Sequence, residues 1–393
     1  MHGFQGSDEQ PLVVYGPPSL EYDFGAQHPL TPRRFGAGID LLRAVGAERF
    51  ASPPEATVAR LLRVHDPAYV STVQLLSEHP DAGGSMFGFS SGGDNPPFCG
   101  MHAAAAAVAG GSLTAMEQIL AGQVLHAFHP GGGLHHAMPG RASGFCIYND
   151  VALAVARARD AGHRVLYVDL DVHHGDGVEA IFWDDPQVLT VSLHETGRAL
   201  FPGTGFVDDC RERVVHRAVV NVPLEPGTSD ESWLAVLKKV VPPLAKEFRP
   251  TLLVTQHGSD AHVLDPLADL RLTTAAISRA AQLLDRLAHE HADGRWLATG
   301  GGGYDVYRVV PRAWALVWLA QAHREIPRET PAEWRARWAV DARRFHQGPL
   351  PREMLDPARL VSHEPRHLAD RNLETAETAV RCSLRALREV PPS

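Results

Sequence analysis

The sequence reads RVLYV-DLDVHHGDG over residues 164–177, an apolar run followed at once by acidic and histidine side chains. The apolar half is typical of a buried strand in a parallel sheet. Buried carboxylates without a partner cost on the order of several kcal/mol, and a bound cation would offset that cost. Alternate side chains of an extended segment share a face, so Asp171 and His173 suit two ligands of one metal ion. A purely structural Asp-His network is the alternative interpretation.

Composition limits the classes of protein that this chain can belong to. Its 393 residues are 44% hydrophobic, which is ample for one large α/β domain or for two or three smaller ones. The net charge of −9 and the presence of only three lysines argue against nucleic-acid binding through a basic surface. No apolar run is long enough to span a membrane, and residues 1–5 lack the pattern of a signal peptide. The four cysteines, at 99, 146, 210 and 382, show no C-x-x-C spacing, so we expect no disulfide framework and a cytoplasmic location.

Strand-like runs alternate with helical patterns along the chain. The predicted strands are Leu12–Tyr15, Val124–Phe128, Val165–Leu170, Val188–Leu193, Val219–Val222, Leu252–Thr255 and Trp296–Ala298. The predicted helices cover about 32–45, 67–78, 100–121, 150–161, 229–248 and 274–291. This alternation predicts an α/β fold with a mostly parallel central sheet and helices on both faces.

Three other segments carry structural expectations. Residues 79–99 are rich in Gly, Ser and Pro and predict a long loop. Pro242 and Pro243 are expected to break or kink the helix that contains them. Residues 326–393 are rich in Arg and Glu and predict a peripheral helical extension packed on a core of about 12–325, so that 1–393 form a single domain.

Chemically reactive side chains follow several predicted strands. In parallel sheets ligands bind beyond the carboxyl ends of the strands, so the side chains after 128, 168, 193, 255 and 298 share one edge and can converge. Among them Asp171, His173 and Asp260 supply two hard oxygens and one imidazole. Three protein ligands leave open positions for water and a substrate oxygen, as metal catalysis needs. Zinc and ferrous iron both suit this set.

The remaining polar residues of this edge predict acid–base chemistry. His135 and His136 are adjacent, and Asp169 and Asp176 can each orient one imidazole and raise its basicity. Two His–Asp dyads beside a metal site indicate a general base and a general acid for hydrolysis. Tyr304 lies on a glycine run and can hydrogen-bond a carbonyl oxygen as charge develops on it.

Other conspicuous residues receive no role at this point. The glycine runs 131–133 and 300–303 lack the G-K-[ST] and G-x-G-x-x-G patterns of phosphate loops. His289-Glu290-His291 lacks H-E-x-x-H spacing and is interpreted as the surface of a helix. No catalytic role is assigned to Glu195.

The motifs together resemble those of the histone deacetylase family. They are HPGGGLHHA at 129–137, GFC at 144–146, DLDVHHGDG at 169–177, FPGTG at 201–205 and GGGGY at 300–304. They cover about 12–325 in the family's order. The stretch GDNPPF at 93–98 and the segment 136–150 look most like the bacterial acetoin-utilization deacetylases.

The resemblance implies an arginase–deacetylase fold and hydrolysis of N-acetyl-lysine to lysine and acetate. It implies Asp171, His173 and Asp260 as metal ligands, His136 as the general base with His135 assisting electrostatically, and Tyr304 as the group that polarises the carbonyl. It implies Phe145, preceded by Gly144, and Phe201 as aromatic walls of the substrate tunnel, with two core phenylalanines as the alternative. It also implies Asp94 as a rim residue that binds the substrate backbone, Arg34 as an arginine of an inner cavity, and Ser192 as part of a structural K⁺ or Na⁺ site.

Three functions are weighed on these grounds. The favoured one is a zinc-dependent lysine deacetylase of acetylated proteins, acetyl-CoA synthetase among them, with Fe²⁺ as the alternative metal. The second is a small-molecule deacetylase that acts on acetylpolyamines. The third, a non-catalytic acetyl-lysine binding module, is disfavoured by the intact ligand set and by Tyr304. Neither nucleic acid nor membrane is an expected partner, and the oligomeric state is left open.

Overall fold

A single parallel sheet organises the chain. The computed structural model describes residues 10–82, 86–207 and 219–389. Eight strands pair in the order β2-β1-β3-β8-β7-β4-β5-β6, and all of these pairings are parallel. The strands are β1 (Leu12–Val14), β2 (Phe50–Ala51), β3 (His126–His129), β4 (Val165–Asp169), β5 (Val188–Glu195), β6 (Val219–Leu224), β7 (Leu252–Gln256) and β8 (Trp296–Thr299).

Eleven α-helices lie within the described ranges. They are α1 (Arg33–Ala44), α2 (Val58–Leu61), α3 (Pro67–Glu78), α4 (Met101–Leu120), α5 (Asp150–Asp160), α6 (Asp176–Phe182), α7 (Asp230–Phe248), α8 (Thr274–His291), α9 (Val310–Gln321), α10 (Ala332–Arg344) and α11 (Arg366–Glu389). None of those described is both long and apolar enough to cross a membrane.

The alternation of side chains along β4 shows why helices cover both faces of the sheet. Leu166 and Val168 belong to the large core formed with α1, α7, α8 and α9. Val165 and Tyr167 belong to a separate core formed with α4, α5 and α6. Successive residues of a strand point to opposite faces, so one five-residue strand contributes to both cores. The predicted α/β class with helices on both faces is confirmed.

Most predicted elements match the structure within one or two residues. All seven predicted strands and all six predicted helices are present. The sequence gave no signal for β2, because a two-residue strand is too short to show alternation. Within 79–82 and 86–99 the predicted loop contains a short 3₁₀ turn and no α-helix.

The helix does not break at Pro242 and Pro243, because α7 continues through both residues, and the alternative expectation of a kink stays a prediction. A proline removes the hydrogen bond to the carbonyl four residues earlier, here at Lys238 and Lys239. Both lysines are exposed, so water can reach the freed carbonyls. The apolar side of α7 stays buried up to Phe248, and this burial favours continuation of the helix.

The free cysteines agree with the absence of a disulfide framework among the described residues. Cys99, Cys146 and Cys382 are free thiols. Cys210 and the first nine residues, from which we inferred that a signal peptide is absent, lie outside the described residues.

The C-terminal extension joins the main core instead of lying loosely on it. Trp334 of α10 is buried and donates from Nε1 to the carbonyl of Ala37, 2.8 Å away. Asn372 of α11 is fully buried and donates to Thr228 Oγ1 at 2.7 Å and to Ser232 Oγ at 3.0 Å. The extension is therefore fixed by buried polar contacts as well as by apolar packing.

A buried ion pair of Asp356, which lies in the segment between α10 and α11, provides a further anchor. Asp356 lies 2.7 Å from His262 Nε2 and 2.8 Å from Arg312 Nη1, and it accepts two hydrogen bonds of 2.9 Å from Thr274. Burial alone would raise the pKa of Asp356. The hydrogen bond from His262 and the charge of Arg312 outweigh it and hold the pKa of Asp356 well below its usual range.

We predict that Asp356→Ala lowers the free energy of unfolding by about 3–5 kcal/mol, because it leaves the buried Arg312 guanidinium without its partner. The pKa of Asp356 is depressed in the folded state, so its contribution is present above the unfolded pKa of about 3.9. It is lost as the pH falls toward the folded pKa, and the difference between wild type and variant should shrink below about pH 4. Urea titrations followed by circular dichroism at pH 7 and pH 3 measure both effects.

The matched control is Glu329→Gln, which removes an ion pair with Arg352 on the surface of the same extension. Exposed pairs contribute little, so this variant should unfold like the wild type. A wild-type unfolding midpoint for Asp356→Ala would show that Asp356 does not anchor the extension.

Candidate active site

The carboxyl ends of four neighbouring strands form one narrow cleft. Strands β3, β8, β7 and β4 are consecutive in the sheet, so the segments that follow them start side by side. The cleft is lined by Leu30, Gly133, Leu134, His135, His136, Gly144, Phe145, Cys146, Asp171, His173, Gly301, Gly302 and Tyr304. Asp260, which follows β7, is fully buried directly behind it. The predicted convergence is present for these four strands.

The fifth predicted strand end does not line this cleft. His194 is fully buried and bonds to Ser192 Oγ at 2.8 Å and to the carbonyl of Gly205 at 3.0 Å. Glu195 accepts a hydrogen bond from the backbone of Asp269 at 2.8 Å. Both residues still belong to β5, so their side chains serve the scaffold, and the structure gives Glu195 no place beside the cleft.

Asp171, His173 and Asp260 form a compact cluster that suits a metal ion. His173 Nδ1 lies 3.0 Å from Asp171 Oδ1 and 3.2 Å from Asp260 Oδ2, and all three residues are buried. Asp260 Oδ2 is buried yet has no hydrogen-bond partner among the described residues. A cation between the three side chains would satisfy this orphaned oxygen, so the residues fit a divalent metal.

The electrostatics of the cluster also favour a bound divalent cation. Burial and the charge of Asp171 raise the pKa of Asp260 to about 6. Burial alone would also raise the pKa of Asp171, but the charge of His135 and a hydrogen bond from His173 outweigh it and lower the pKa. Two carboxylates held this close repel one another, and a divalent cation is the kind of charge that stabilises both in ionised form.

The backbone that follows β8 packs directly against the two carboxylates of the cluster. The N–H of Gly302 donates to Asp171 Oδ2 at 2.8 Å. A Cβ on Gly302 would lie 1.9 Å from Asp260 Oδ2, so only glycine fits at this position. Gln256 donates from Nε2 to the same Asp171 oxygen at 2.7 Å. Asp171 is therefore oriented by two neighbouring strands.

The two adjacent histidines each pair with one of the predicted aspartates. His135 Nδ1 lies 2.7 Å from Asp169 Oδ2, and His136 Nδ1 lies 2.6 Å from Asp176 Oδ1. The Nε2 atoms of the two rings lie 3.0 Å apart. Each Nδ1 faces a carboxylate and so carries a hydrogen, which means that a bond between the Nε2 atoms needs one shared proton. The pair thus holds a single positive charge.

The surroundings place that charge on His135. Burial lowers the pKa of His135, but the charges of Asp169 and Asp171 outweigh it and raise the pKa to about 9. Burial and the charge of His135 lower the pKa of His136 to about 4, against the opposing effect of Asp176. His136 is accordingly the neutral member of the pair, the one able to accept a proton.

Tyr304 lines the same cleft as these histidines. Its backbone N–H donates to Asp265 Oδ2 at 2.8 Å, and its backbone carbonyl accepts from Gln347 at 3.0 Å. Burial and the charge of Asp260 raise the pKa of Tyr304 well above its usual value. The phenol therefore keeps its proton and can act as a hydrogen-bond donor.

A strained two-residue turn presents Phe145 to the cleft. Ser143 and Cys146 exchange both backbone hydrogen bonds, and Gly144 and Phe145 between them have φ of 51° and 68°. Positive φ costs a non-glycine residue about 1–3 kcal/mol and persists where function requires it. Tyr22 stabilises the turn by donating to the Phe145 carbonyl at 2.8 Å. The ring of Phe145 then packs edge-on against Tyr304, with centroids 6.0 Å apart.

Phe201 lies at the outer end of the cleft. Its side chain is 42% exposed, and its ring packs edge-on against His136 with centroids 5.0 Å apart. An open groove of about 810 Å³ begins here and is also lined by Gly144 and by the exposed Asp94. The predicted substrate-binding residues thus lie at the junction of a narrow cleft and a wide groove.

Two further predicted positions lie next to the cleft. Arg34 is buried, donates to the Gly301 carbonyl at 2.7 Å and lines a small inner cavity bounded by Leu30 and Leu134, which also line the cleft. Ser192 is paired with Asp169 in the register of β4 and β5. The roles that the resemblance implies for Arg34 and Ser192 stay predictions.

Two residues that hold the loop of His135 and His136 in place could not be identified from the sequence. Asp150 is fully buried and accepts hydrogen bonds from the backbone of Gly133 and from Leu134 N at 2.8 Å. Asn149 caps α5 and also donates to the His135 and Ala137 carbonyls at 3.1 and 3.0 Å. Asn and Asp at a helix start read as capping residues, and no local pattern shows which distant loop they contact.

Similarity to known proteins agrees with this geometry. The family model for the histone deacetylase domain matches residues 28–321. The acetoin utilization protein AcuC of Bacillus subtilis is 40% identical over 377 residues, which cover 94% of this chain and 96% of the relative. The protein of the same name from Staphylococcus aureus is 37% identical over 384 residues, covering 95% and 97%.

Solved structures give the same result for the fold. A crystal structure of an HDAC homolog in complex with SAHA superposes with a TM-score of 0.83 at 27% identity, covering 94% of this chain and all of the other. That of an HDAC homolog from Aquifex aeolicus has a TM-score of 0.81 at 27% identity, with the same coverage. The arginase–deacetylase fold is therefore confirmed, and the chain belongs to the histone deacetylase family of hydrolases, with near full-length similarity to its acetoin-utilization type.

Proposed function

We propose that this chain is a metal-dependent deacetylase that hydrolyses the N-acetyl-lysine side chains of proteins and releases acetate. The observation that carries the proposal is the junction of a narrow buried cleft with an open groove of about 810 Å³. The cleft suits an extended acyl-lysine side chain, and the groove leaves room for the polypeptide on either side of it. Acetylated proteins are the proposed partners, with acetyl-CoA synthetase as the named candidate.

Asp171, His173 and Asp260 would hold the metal. Two carboxylate oxygens and one imidazole suit Zn²⁺, which we favour, and also Fe²⁺. When bound, such an ion supplies Lewis acidity toward an oxygen ligand. Ser192, beside Asp169 in the sheet, is the proposed contributor to a separate structural K⁺ or Na⁺ site.

His136 is the proposed general base. It is the neutral ring of the histidine pair, and Asp176 fixes its Nδ1 as the protonated nitrogen. In the proposed reaction the attacking water replaces His135 as the hydrogen-bond partner of His136 Nε2, which accepts a proton from it, and the water oxygen adds to the acetyl carbon. The C–N bond then breaks as the lysine nitrogen takes that proton from the pair, and the acetic acid formed loses its remaining proton to solvent, which leaves acetate. His135, ion-paired with Asp169, keeps positive charge beside the reacting atoms.

Tyr304 is the proposed donor to the acetyl oxygen. Its phenol stays protonated, and its backbone is held on both sides by Asp265 and Gln347. A hydrogen bond from this position would strengthen as negative charge develops on the carbonyl oxygen in the transition state. Phe145 and Phe201 would hold the methylene chain of lysine, and Asp94 on the rim would accept N–H groups of the substrate backbone.

The substrate class is tested by parallel assays of Asp94→Ala on an acetyl-lysine peptide and on acetylputrescine, which has no peptide backbone. Asp94 is exposed on the groove, so removing it should leave the fold and the metal unaffected. We expect kcat/KM to fall more for the peptide than for acetylputrescine, because only the peptide can use the rim carboxylate. The matched control is Asp184→Ala, another acidic residue that lines the same groove.

An equal loss on both substrates would assign Asp94 a structural role. A wild-type enzyme that prefers acetylputrescine would instead favour the small-molecule deacetylase. No turnover of either substrate by metal-loaded protein would favour an acetyl-lysine binding module.

The base is tested by comparing His136→Ala with His173→Ala. His136→Ala removes the proton acceptor but no ligand, so it should abolish turnover and keep the full content of divalent metal. His173→Ala removes one of three ligands and should lose one equivalent of metal together with activity. Metal analysis of both purified variants and assays on the acetyl-lysine peptide decide the matter. Near-normal kcat in His136→Ala would exclude it as the base.

Tyr304→Phe tests the hydrogen-bond donor. The change removes one hydroxyl and leaves the ring packed against Phe145. Loss of one such donor typically lowers kcat about 100- to 1000-fold. Metal content and binding of the acetyl-lysine peptide should remain at wild-type levels, as isothermal titration calorimetry would show. A variant with wild-type kcat would be inconsistent with this role for Tyr304.

A further inference from the structure

A second cluster of potential metal ligands lies far from the cleft, at the amino-terminal edge of the sheet. It consists of His126, Asp285, His289 and His323. His126 is the first residue of β3, whereas the candidate active site follows the carboxyl ends of the strands. Asp285 and His289 lie on α8, and His323 lies just after the end of α9.

The distances within this cluster suit a tetrahedral site. Asp285 Oδ1 lies 3.1 Å from His323 Nε2, 3.6 Å from His289 Nε2 and 3.8 Å from His126 Nε2. One ligand atom from each of the four residues lies within 4.8 Å of all the others. Ligand atoms about 2.0–2.1 Å from a zinc ion at the corners of a tetrahedron are about 3.3 Å apart. The three distances from Asp285 Oδ1 lie within about 0.5 Å of that value, and the separations between the histidine nitrogens, which are at most 4.8 Å, would contract by up to about 1.5 Å around an ion.

The environment of His126 is independent evidence for a bound cation. Only 6% of its side chain is exposed, and its Nε2 is buried without a hydrogen-bond partner. Its Nδ1 lies 2.7 Å from the carbonyl of Gln321, which can only accept, so this nitrogen carries the hydrogen. The lone pair of the neutral ring is then on Nε2, which faces the cluster. A backbone carbonyl on the second nitrogen is the usual support of a metal-binding histidine.

The other ligands are held in place by local structure. Asp285 and His289 are four residues apart on α8, and this spacing puts them on the same face of the helix. His323 has φ of 50°, which turns the chain directly after α9 and brings its ring to α8. Gly294 packs against His289, and a Cβ there would lie 3.1 Å from the His289 ring. Three separate segments thus direct their ligand atoms toward one point.

Hydrogen bonding alone does not account for this arrangement. His323 lies within hydrogen-bond distance of Asp285, but His289 and His126 lie beyond it. The centroids of the three rings are only 5.2–5.5 Å apart, so three imidazoles crowd around one carboxylate oxygen. One divalent cation would bind all three neutral rings together with the carboxylate.

We propose that His126, Asp285, His289 and His323 form a second metal site of this protein, a structural site that takes Zn²⁺. Four protein ligands complete a tetrahedron and leave no open position, unlike the three-ligand set of the cleft. The ion links the start of β3, the last turns of α8 and the segment after α9. Imidazole and carboxylate ligands also suit Co²⁺, which allows the geometry to be observed by its visible absorption.

The test measures how many metal ions the full-length protein binds. Metal-free protein is titrated with Zn²⁺ and dialysed, and its metal content is determined. The variant is His289→Ala/His323→Asn, whose positions are 41% and 56% exposed, so the fold should tolerate the change. The matched control is His291→Ala on the same helix, outside the cluster. His173→Ala provides a background that lacks the cleft site.

We expect two equivalents of Zn²⁺ in the wild type and in His291→Ala, and one in the double variant. In the His173→Ala background one equivalent should remain, and the double change should remove it. Added Zn²⁺ should raise the melting temperature of the His173→Ala protein, because an ion that binds only the folded state stabilises it, and the double change should abolish this shift. Co²⁺ in the His173→Ala protein should show the intense visible bands of tetrahedral coordination.

The double variant should keep wild-type kcat on an acetyl-lysine peptide, since none of its changes touches the cleft. No bound Zn²⁺ in the His173→Ala protein, or two equivalents in the double variant, would overturn the proposal. If the Zn²⁺ assigned to this cluster is lost on dialysis, it is an adventitious ion only, and this result would overturn the proposal as well. These readouts do not depend on deacetylation, so the proposal stands or fails independently of the proposed function.

Discussion

Mutual repulsion between two buried carboxylates is the constraint around which the catalytic edge is organised. Asp171 and Asp260 are at most 1% exposed, and their side chains meet at His173. Removing an ion from water carries a penalty on the order of several kcal/mol even after the protein relaxes. Neither side chain can reach solvent, so the protein has to supply the missing solvation with its own donors.

Most of that solvation comes from backbone groups that the parallel sheet brings together. Asp171 accepts from His173 N at 3.0 Å and from Gly302 N at 2.8 Å, and Asp260 accepts from Val172 N at 3.0 Å. These donors belong to segments after β4 and β8, which β7 separates in the sheet. Of the pair's oxygens, only Asp260 Oδ2 has no hydrogen bond among the described residues, and it lies 3.2 Å from His173 Nδ1. The scaffold thus satisfies every oxygen of the pair except the one that a metal would use.

The sequence was sufficient for the parts of this design that are local. The run at 165–168 is short and apolar with a β-branched valine at each end, and polar residues follow it, so both the strand and the position of its ligands could be predicted. The pairing of His135 with Asp169 and of His136 with Asp176 could not be predicted, because two adjacent histidines and two aspartates allow either pairing until the loop conformation is known. The support of the histidine loop by Asp150 was equally invisible, since a carboxylate at a helix start has a sufficient local explanation.

The cluster at the opposite edge shows the same limit more sharply. His289 was interpreted as surface because its immediate neighbours match no metal-binding motif, and it is indeed 41% exposed. Its relation to His126 arises only when α8 packs beside β3, across 163 positions of sequence (289 minus 126). Short motifs reveal sites whose ligands follow one another along the chain, as at 169–176. Sites assembled from single residues of separate elements become visible only in the packed structure. Strand β3 joins both kinds of site in this protein, because it begins at His126 and leads at its other end into the loop that carries His135 and His136.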